Sequence, residues 1–360
     1  MTGPIPLLNE RLRVADTPEA LLRLFEARGW GDGLPAVPPT PERVEKMIEG
    51  SGLGPGVELG VMPPRQGVAT VETLAVNAVL AGCLPAYMPV LVAAVRAVLD
   101  PAFSLHAIQA TTHPAAPLIL VNGPIAGELG INGGYGCFGP GHRANATLGR
   151  ALRLALLHIG GASPGALDRS TQGSPAKYTF CIAENEAESP WPPFHTERGF
   201  ARERSAVTVI GAEGPHNVND HVSHDAGGLL ATLADTMAVM GSNNFYLRGE
   251  VVAALGPEHA ATLAGEGLSK AEVRRALHAR ARKSVRQLSR GGMWGMRDWP
   301  PALEALAQDP DAMIPLVDRP EDILLLVAGG AGKHSAYLPT FGPTRSVTVP
   351  VETPAGAPAR

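Results

Sequence analysis

A chain of 360 residues, 45% hydrophobic and 18% charged, carries enough apolar surface for a large core, which excludes a disordered protein. Its formal net charge of −4 supplies no global electrostatic attraction to nucleic acid or to a membrane surface. Aromatic residues are only 5% while Gly (42) and Pro (34) abound, so Ala, Leu and Val must build the core and turns must shape much of the path.

In chain order, Thr17 caps a helix reaching to about Arg28, and Thr40-Pro41-Glu42 starts a second with a cap, an N1 proline and an acidic first turn. Between them Gly29-Trp30-Gly31-Asp32-Gly33-Leu34-Pro35 and Pro38-Pro39 make a stiff loop. Apolar helices are predicted over 71–82 and 88–99, joined by Cys83-Leu84-Pro85. Glu72 and Asn77 interrupt the first, Glu72 reading as a helix-capping charge or as a buried acid–base carboxylate. Residues 104–112 read as a strand that delivers His113.

Four apolar runs of strand length then end in glycine-bearing turns. They are Leu118–Val121 into Asn122-Gly123-Pro124, Val207–Ile210 into Gly211, Val251–Leu255 into Gly256, and Ile323–Val327 into Gly329-Gly330. Three of these turns deliver a histidine: His216, His259 and His334. Short continuous apolar runs suit buried parallel strands, whose carboxyl ends gather chemistry in α/β proteins. The fold class predicted is therefore α/β, a mostly parallel sheet with flanking helices. Helices are expected from about His142 to His158, Asp220 to Met240 and Ser269 to Arg290, with a further strand at Tyr178–Ala183. The Pro-rich stretch 160–204 reads as a structured lid over the site. The organisation expected is a helical arm (1–60), a first α/β half (61–212), a second half (213–353) and a disordered tail (354–360).

Three constellations carry chemistry. In Gly133–Asn145, glycines and a helix start favour an anion, Arg143 offers a bidentate partner with Asn145 beside it, and Cys137 is the nucleophile candidate through a favoured thiolate. In 214–225, His221 and His224 fall on one helix face with His216 before them, a set suited to a divalent transition metal (Zn, Fe, Mn or Ni). In Gly329–Ser335, three glycines precede Lys333, His334 and Ser335, an anion cradle too short for a P-loop, so no nucleotide cofactor is expected. His113 and His334 join Cys137 and His216 as catalytic candidates. His195 and Arg198, after Trp191-Pro192-Pro193-Phe194, join Arg143, Asn145, Lys333 and Ser335 as substrate-binding candidates. The three cysteines, Cys83, Cys137 and Cys181, are too few for a disulfide framework.

Five segments carry a resemblance: Gly29–Thr40, Ala81–Pro85, Gln109–Pro114, Gly139–Thr147 and Gly332–Ser335. Together the chain resembles an uncharacterised bacterial family related to, or encoded beside, the small UGSC-motif thiol or selenol proteins. The resemblance implies a thiol or selenol partner protein and redox or elimination chemistry. This chain has no Cys-Gly-Ser-Cys motif, so in that reading it is the partner subunit or uses Cys137 alone.

The leading expectation is an enzyme of hydrolase or lyase type. It acts on a small anionic, carboxylate-type metabolite at the carboxyl ends of the strands, with histidine catalysis and metal assistance. The alternatives are a thiol- or selenol-dependent reductase or eliminase subunit and a non-catalytic anion-binding protein. No apolar run approaches the roughly 20 residues of a membrane span, and Met1-Thr2-Gly3-Pro4 does not open a signal peptide. A cytoplasmic homo-oligomer that binds neither nucleic acid nor membrane is expected.

Overall fold

The computed structural model describes residues 5–352 apart from Asp16 and Arg297. The predicted disordered tail at 354–360 lies outside the described residues. Strands follow in the order β1 (Glu58–Met62), β2 (Gly67–Thr70), β3 (Ala116–Asn122), β4 (Cys181–Ala183), β5 (Ala206–Ala212) and β6 (His216–Asn219). They continue with β7 (Val251–Leu255), β8 (Arg282–Ser284), β9 (Met313–Pro315), β10 (Ile323–Val327), β11 (His334–Leu338) and β12 (Val347–Pro350). All four apolar runs are strands, β3, β5, β7 and β10.

The mostly parallel sheet is not what they form. Among the described residues two four-stranded sheets are present, ordered β12-β5-β3-β4 and β10-β7-β11-β6, with two-stranded ribbons β1-β2 and β8-β9. Only β3 with β4 and β7 with β10 run parallel; the remaining pairs are antiparallel. Alternate residues on each strand explain why the runs are nonetheless apolar throughout. Leu118 and Leu120 of β3, Ile210 of β5, Val252 and Ala254 of β7, and Leu324 and Leu326 of β10 share one core between the sheets. Ile119 and Val121 pack outward with Leu74, Leu91 and Leu148 of the Val71–Ala81, Met88–Leu99 and Arg143–His158 helices. Val251, Ala253 and Leu325 pack outward with Leu229, Leu263 and Val273 of the Ala226–Met237, Pro257–Gly265 and Lys270–Arg280 helices. The layers are helix, sheet, sheet, helix. A strand covered on both faces needs an apolar residue at every position, whatever its neighbours' direction.

Local chemistry accounts for the other departures. Residues 104–112 are not a strand: Ser104 takes a left-handed conformation and Leu105–Gln109 is helical. The helix expected from Asp220 begins at Ala226, because Asp220 accepts backbone N–H groups of Val222 and Ser223 into a turn and Asp225 caps the helix through Gly228 N–H. The helix expected to reach Arg290 stops at Arg280, and Arg282–Ser284 pairs with Met313–Pro315. Its stripe of Val273, Leu277, Ala281, Val285 and Leu288 is buried all the same. Thr17 caps the Pro18–Arg28 helix as predicted, its hydroxyl accepting from Ala20 N–H. Among the described residues no helix is long and apolar enough to cross a membrane.

Candidate functional site

Parallel strands β3 and β4 end side by side, and polar side chains collect there. Asn122 is the last residue of β3, and Glu184 directly follows β4. Asn122 Nδ2 donates to Glu184 Oε2 at 2.6 Å and to Glu186 Oε1 at 2.9 Å. Glu186 Oε1 also accepts from Gly123 N–H at 2.7 Å, and Glu184 Oε2 from Phe194 N–H at 2.6 Å. The second of these bonds draws the 184–199 segment inward. That segment crosses to the second sheet, where Asn185 N–H donates to Val327 O and Trp191 Nε1 donates to Leu268 O at 2.9 Å. It thereby meets the carboxyl end of β10, an edge strand of that sheet.

Lys270 closes the cluster from the first turn of the Lys270–Arg280 helix. Its ammonium is buried, 3.6 Å from Glu184 Oε1 and 3.8 Å from Glu197 Oε1. His195 has no exposed surface, and its Nδ1 lies 3.9 Å from Glu186 Oε1. Among the described residues six buried side-chain polar atoms make no hydrogen bond, and five belong here: Asn122 Oδ1, Glu184 Oε1, both His195 ring nitrogens and Lys270 Nζ. Leaving such atoms unmet costs about 1–3 kcal/mol each, more for charged groups, so the arrangement calls for water or a ligand between them. Burial pushes the Glu184 carboxyl above the usual carboxylate range, with the Lys270 charge opposing it. Two clefts of about 460 Å³ each are lined by residues that contact the cluster. One is lined by Phe194, Glu197, Arg198, Glu250, Arg274 and Arg345, the other by Gly123, Gly127, Glu186, Arg202 and Glu203.

Of the residues predicted from sequence, His195 and Arg198 belong to this region. Arg198 donates to Ser346 Oγ at 2.8 Å and stacks over Phe194 at the cleft wall. Asn122, Glu184, Glu186 and Lys270 were not predicted. The signal for Glu184 and Glu186 was there, two carboxylates immediately after an apolar strand. Lys270 was indistinguishable from the other cations of its basic helix.

A second group gathers where β7 ends and β11 begins. His334 starts β11 opposite Asn219, and its Nε2 lies 3.3 Å from His221 Nε2. Ser335 is buried, accepting from Gly256 N–H at 3.1 Å and donating to His259 Nδ1 at 2.8 Å, while His259 Nε2 donates to Asp220 O at 3.1 Å. Burial holds the His259 imidazole below its usual pKa. The Ser223 N–H leads the hydrogen bonds that keep the Asp220 carboxyl well below the usual range. His221 and His224 share no helix face, since both precede the helix, and His216 lies opposite Tyr337, three rungs from His334. Within the described residues no three His, Cys, Asp or Glu side chains are placed to hold a metal ion, so the trio His216, His221 and His224 does not assemble.

The remaining candidates bind the protein itself. Arg143 donates Nε and Nη2 to Gly82 O, fastening the carboxyl end of the Val71–Ala81 helix. Asn145 is buried and clamps the glycine loop through Asn132 N–H, Asn132 O and Cys137 O. That loop does reach the 329–330 turn: Gly329 N–H donates to Gly133 O, and a Cβ on Gly330 would strike the Tyr135 ring at 2.2 Å. Cys137 is buried in the core between the sheets, and desolvation raises its thiol to about 11, opposite to the thiolate expected. Burial pushes Cys83 up to about 12 and Cys181 higher still. His113 stands at the amino end of β3, accepting Ala115 N–H at Nδ1 and donating from Nε2 to Glu213 at 2.8 Å. Glu72 accepts Leu8 and Asn9 N–H groups, pinning the N-terminal segment. No family model, curated protein or solved structure matches the chain, so the reading of the site rests on its geometry.

Proposed function

We propose that the chain is an acid–base enzyme of lyase or hydrolase type acting on a small carboxylate-bearing metabolite at the Asn122–Glu184–Glu186–His195–Lys270 cluster. The observation that carries this reading is the concentration of unpartnered buried polar atoms at the ends of β3 and β4. A fold that only needed packing would place apolar side chains there, since an ion pair kept from water rarely repays its desolvation. A carboxyl whose pKa is raised by burial and an imidazole with neither nitrogen hydrogen-bonded are the kinds of group that serve acid–base catalysis. Glu184 and His195 exchange protons with the substrate, Lys270 neutralises the developing oxyanion, and Arg198 holds a carboxylate at the mouth of the adjoining cleft. The 184–199 segment, carrying Glu184, Glu186, His195 and Arg198, is the piece that admits and covers the substrate.

The test is a panel of small mono- and dicarboxylates, read by thermal shift and then by turnover. Wild type should be stabilised by and transform at least one member; His195→Gln should keep the fold and lose at least about 100-fold in kcat, the scale of one acid–base group. A ligand that binds and turns over equally well with His195→Gln would remove His195 from the chemistry. Stabilisation without turnover in wild type would favour a binding protein.

A further inference from the structure

We propose that His221 and His334 form an open, two-imidazole site for a divalent late first-row transition metal, zinc or nickel, at the carboxyl end of β7. This inference uses residues separate from the acid–base cluster and stands or falls independently of it.

The argument begins with the 3.3 Å between the two Nε2 atoms. Nitrogens bound to one tetrahedral zinc at about 2.0–2.1 Å are themselves roughly 3.3–3.4 Å apart, so the two nitrogens, which share a hydrogen bond in the absence of metal, already span one edge of such a coordination shell. The rings meet edge to face, centroids 5.0 Å apart and planes at 77°, which lets the nitrogens approach while the ring bodies stay clear of each other. The tautomer is also set. Asn217 Oδ1 lies 3.0 Å from His334 Nδ1 and can only accept, so the proton sits on Nδ1 and Nε2 keeps its lone pair. Metal-bound imidazoles are oriented by that kind of hydrogen bond from the other nitrogen.

Both rings stand on a braced frame. His334 is fixed by the β11 ladder, its backbone opposite Asn219. The turn bearing His221 is tied at Asp220, whose carboxylate accepts from Ser223 N–H, Ser223 Oγ and Thr232 Oγ, and whose backbone N–H donates to Lys333 O. The buried His259 holds the Asp220 carbonyl from the other side, and Lys333 Nζ reaches the His221 carbonyl at 3.5 Å. Preorganisation of this kind is what a two-ligand site needs in order to bind without ordering a loop. With two protein donors, positions are left for water or for an anionic oxygen ligand, and a nearby ammonium, that of Lys333 at the His221 carbonyl, favours the anion. Imidazole donors select zinc, nickel or copper over magnesium and calcium.

Calorimetric titration of the full-length protein with zinc alone, repeated with nickel, tests the site. Saturation at one ion per chain is expected for wild type. His221→Ala and His334→Ala should each weaken binding by roughly ten-fold or more, and Asn217→Ala by about ten-fold through loss of ring orientation. His216→Ala and His224→Ala should bind as wild type does; all these side chains are exposed or near-exposed, and circular dichroism checks that the variants fold. Failure to saturate at one ion per chain overturns the proposal. So does wild-type affinity in His334→Ala, or equal weakening by His216→Ala and His224→Ala, the mark of scattered surface histidines.

Discussion

Lys270 and Glu184 show at the scale of single residues how a site declares itself through its cost. Lys270→Met leaves the buried Glu184 carboxylate without its counter-charge and should cost about 3–5 kcal/mol at pH 7. Burial raises the folded-state pKa of Glu184, so the folded protein takes up that proton before the unfolded chain does. Stability from this group is therefore present at low pH and lost as pH rises through the folded pKa. The cost of Lys270→Met should accordingly shrink at pH 5, and the double variant with Glu184→Gln should recover most of it. Urea unfolding at both pH values checks this; an equal cost at pH 5 and pH 7 would show that the carboxyl does not titrate in that range. The same scale explains why some sequence expectations failed. Arg143 and Asn145 look like ligand-binding residues in a glycine-rich loop, yet their polar atoms are taken by Gly82 and Asn132 carbonyls and by Asn132 N–H. Type and spacing reveal that a side chain can bind; only the fold reveals that its partner is the protein.

Among elements, the 184–199 segment joins stability to the site. Trp191 is buried in the second helix layer's core and anchors the segment there through its bond to Leu268 O. Trp191→Ala should destabilise by about 3–5 kcal/mol and loosen the 184–199 segment that carries His195. Unfolding midpoints combined with limited proteolysis of the segment read both effects; a variant of wild-type stability and wild-type proteolysis would show that Trp191 does not anchor it. Its Pro-rich, Trp-bearing composition had marked 160–204 as a structured excursion, and His195 and Arg198 were legible there. The strands were legible too, but not their directions, because pairing partners are chosen by residues far away in sequence. Segments that suggested a family resemblance act as clamps: Asp32 of the Gly29–Pro35 loop takes Arg150 in a two-point bond at 2.7 and 2.8 Å, and Trp30 O meets His158 at 2.5 Å.

For the whole molecule, the shared layer between the sheets is decisive. Leu118 and Leu120 come from the first sheet, Leu324 and Leu326 from the second, and β12 carries the chain back to pair with β5. A common core should make both sheets unfold together. Leu326→Ala, at a fully buried position, should cost about 2–5 kcal/mol and move one calorimetric transition as a unit. Two transitions, only one of them shifted, would show that the sheets melt as separate domains.

The sequence by itself determined which segments are buried on both faces, where most of the expected helices start, and that glycine turns and histidines follow the strands. These are local properties, set by periodicity, capping and turn chemistry within a few residues. Only the tertiary structure decided that two sheets stack in place of one parallel sheet. It also brought His221 to His334 and not to His216, and gathered Asn122, Glu184, His195 and Lys270 from across 148 positions of the chain into one buried polar cluster. The physical reason is that a continuous apolar run records coverage of both faces but not what covers them, while a buried charge becomes visible only when the residues that surround it are in place.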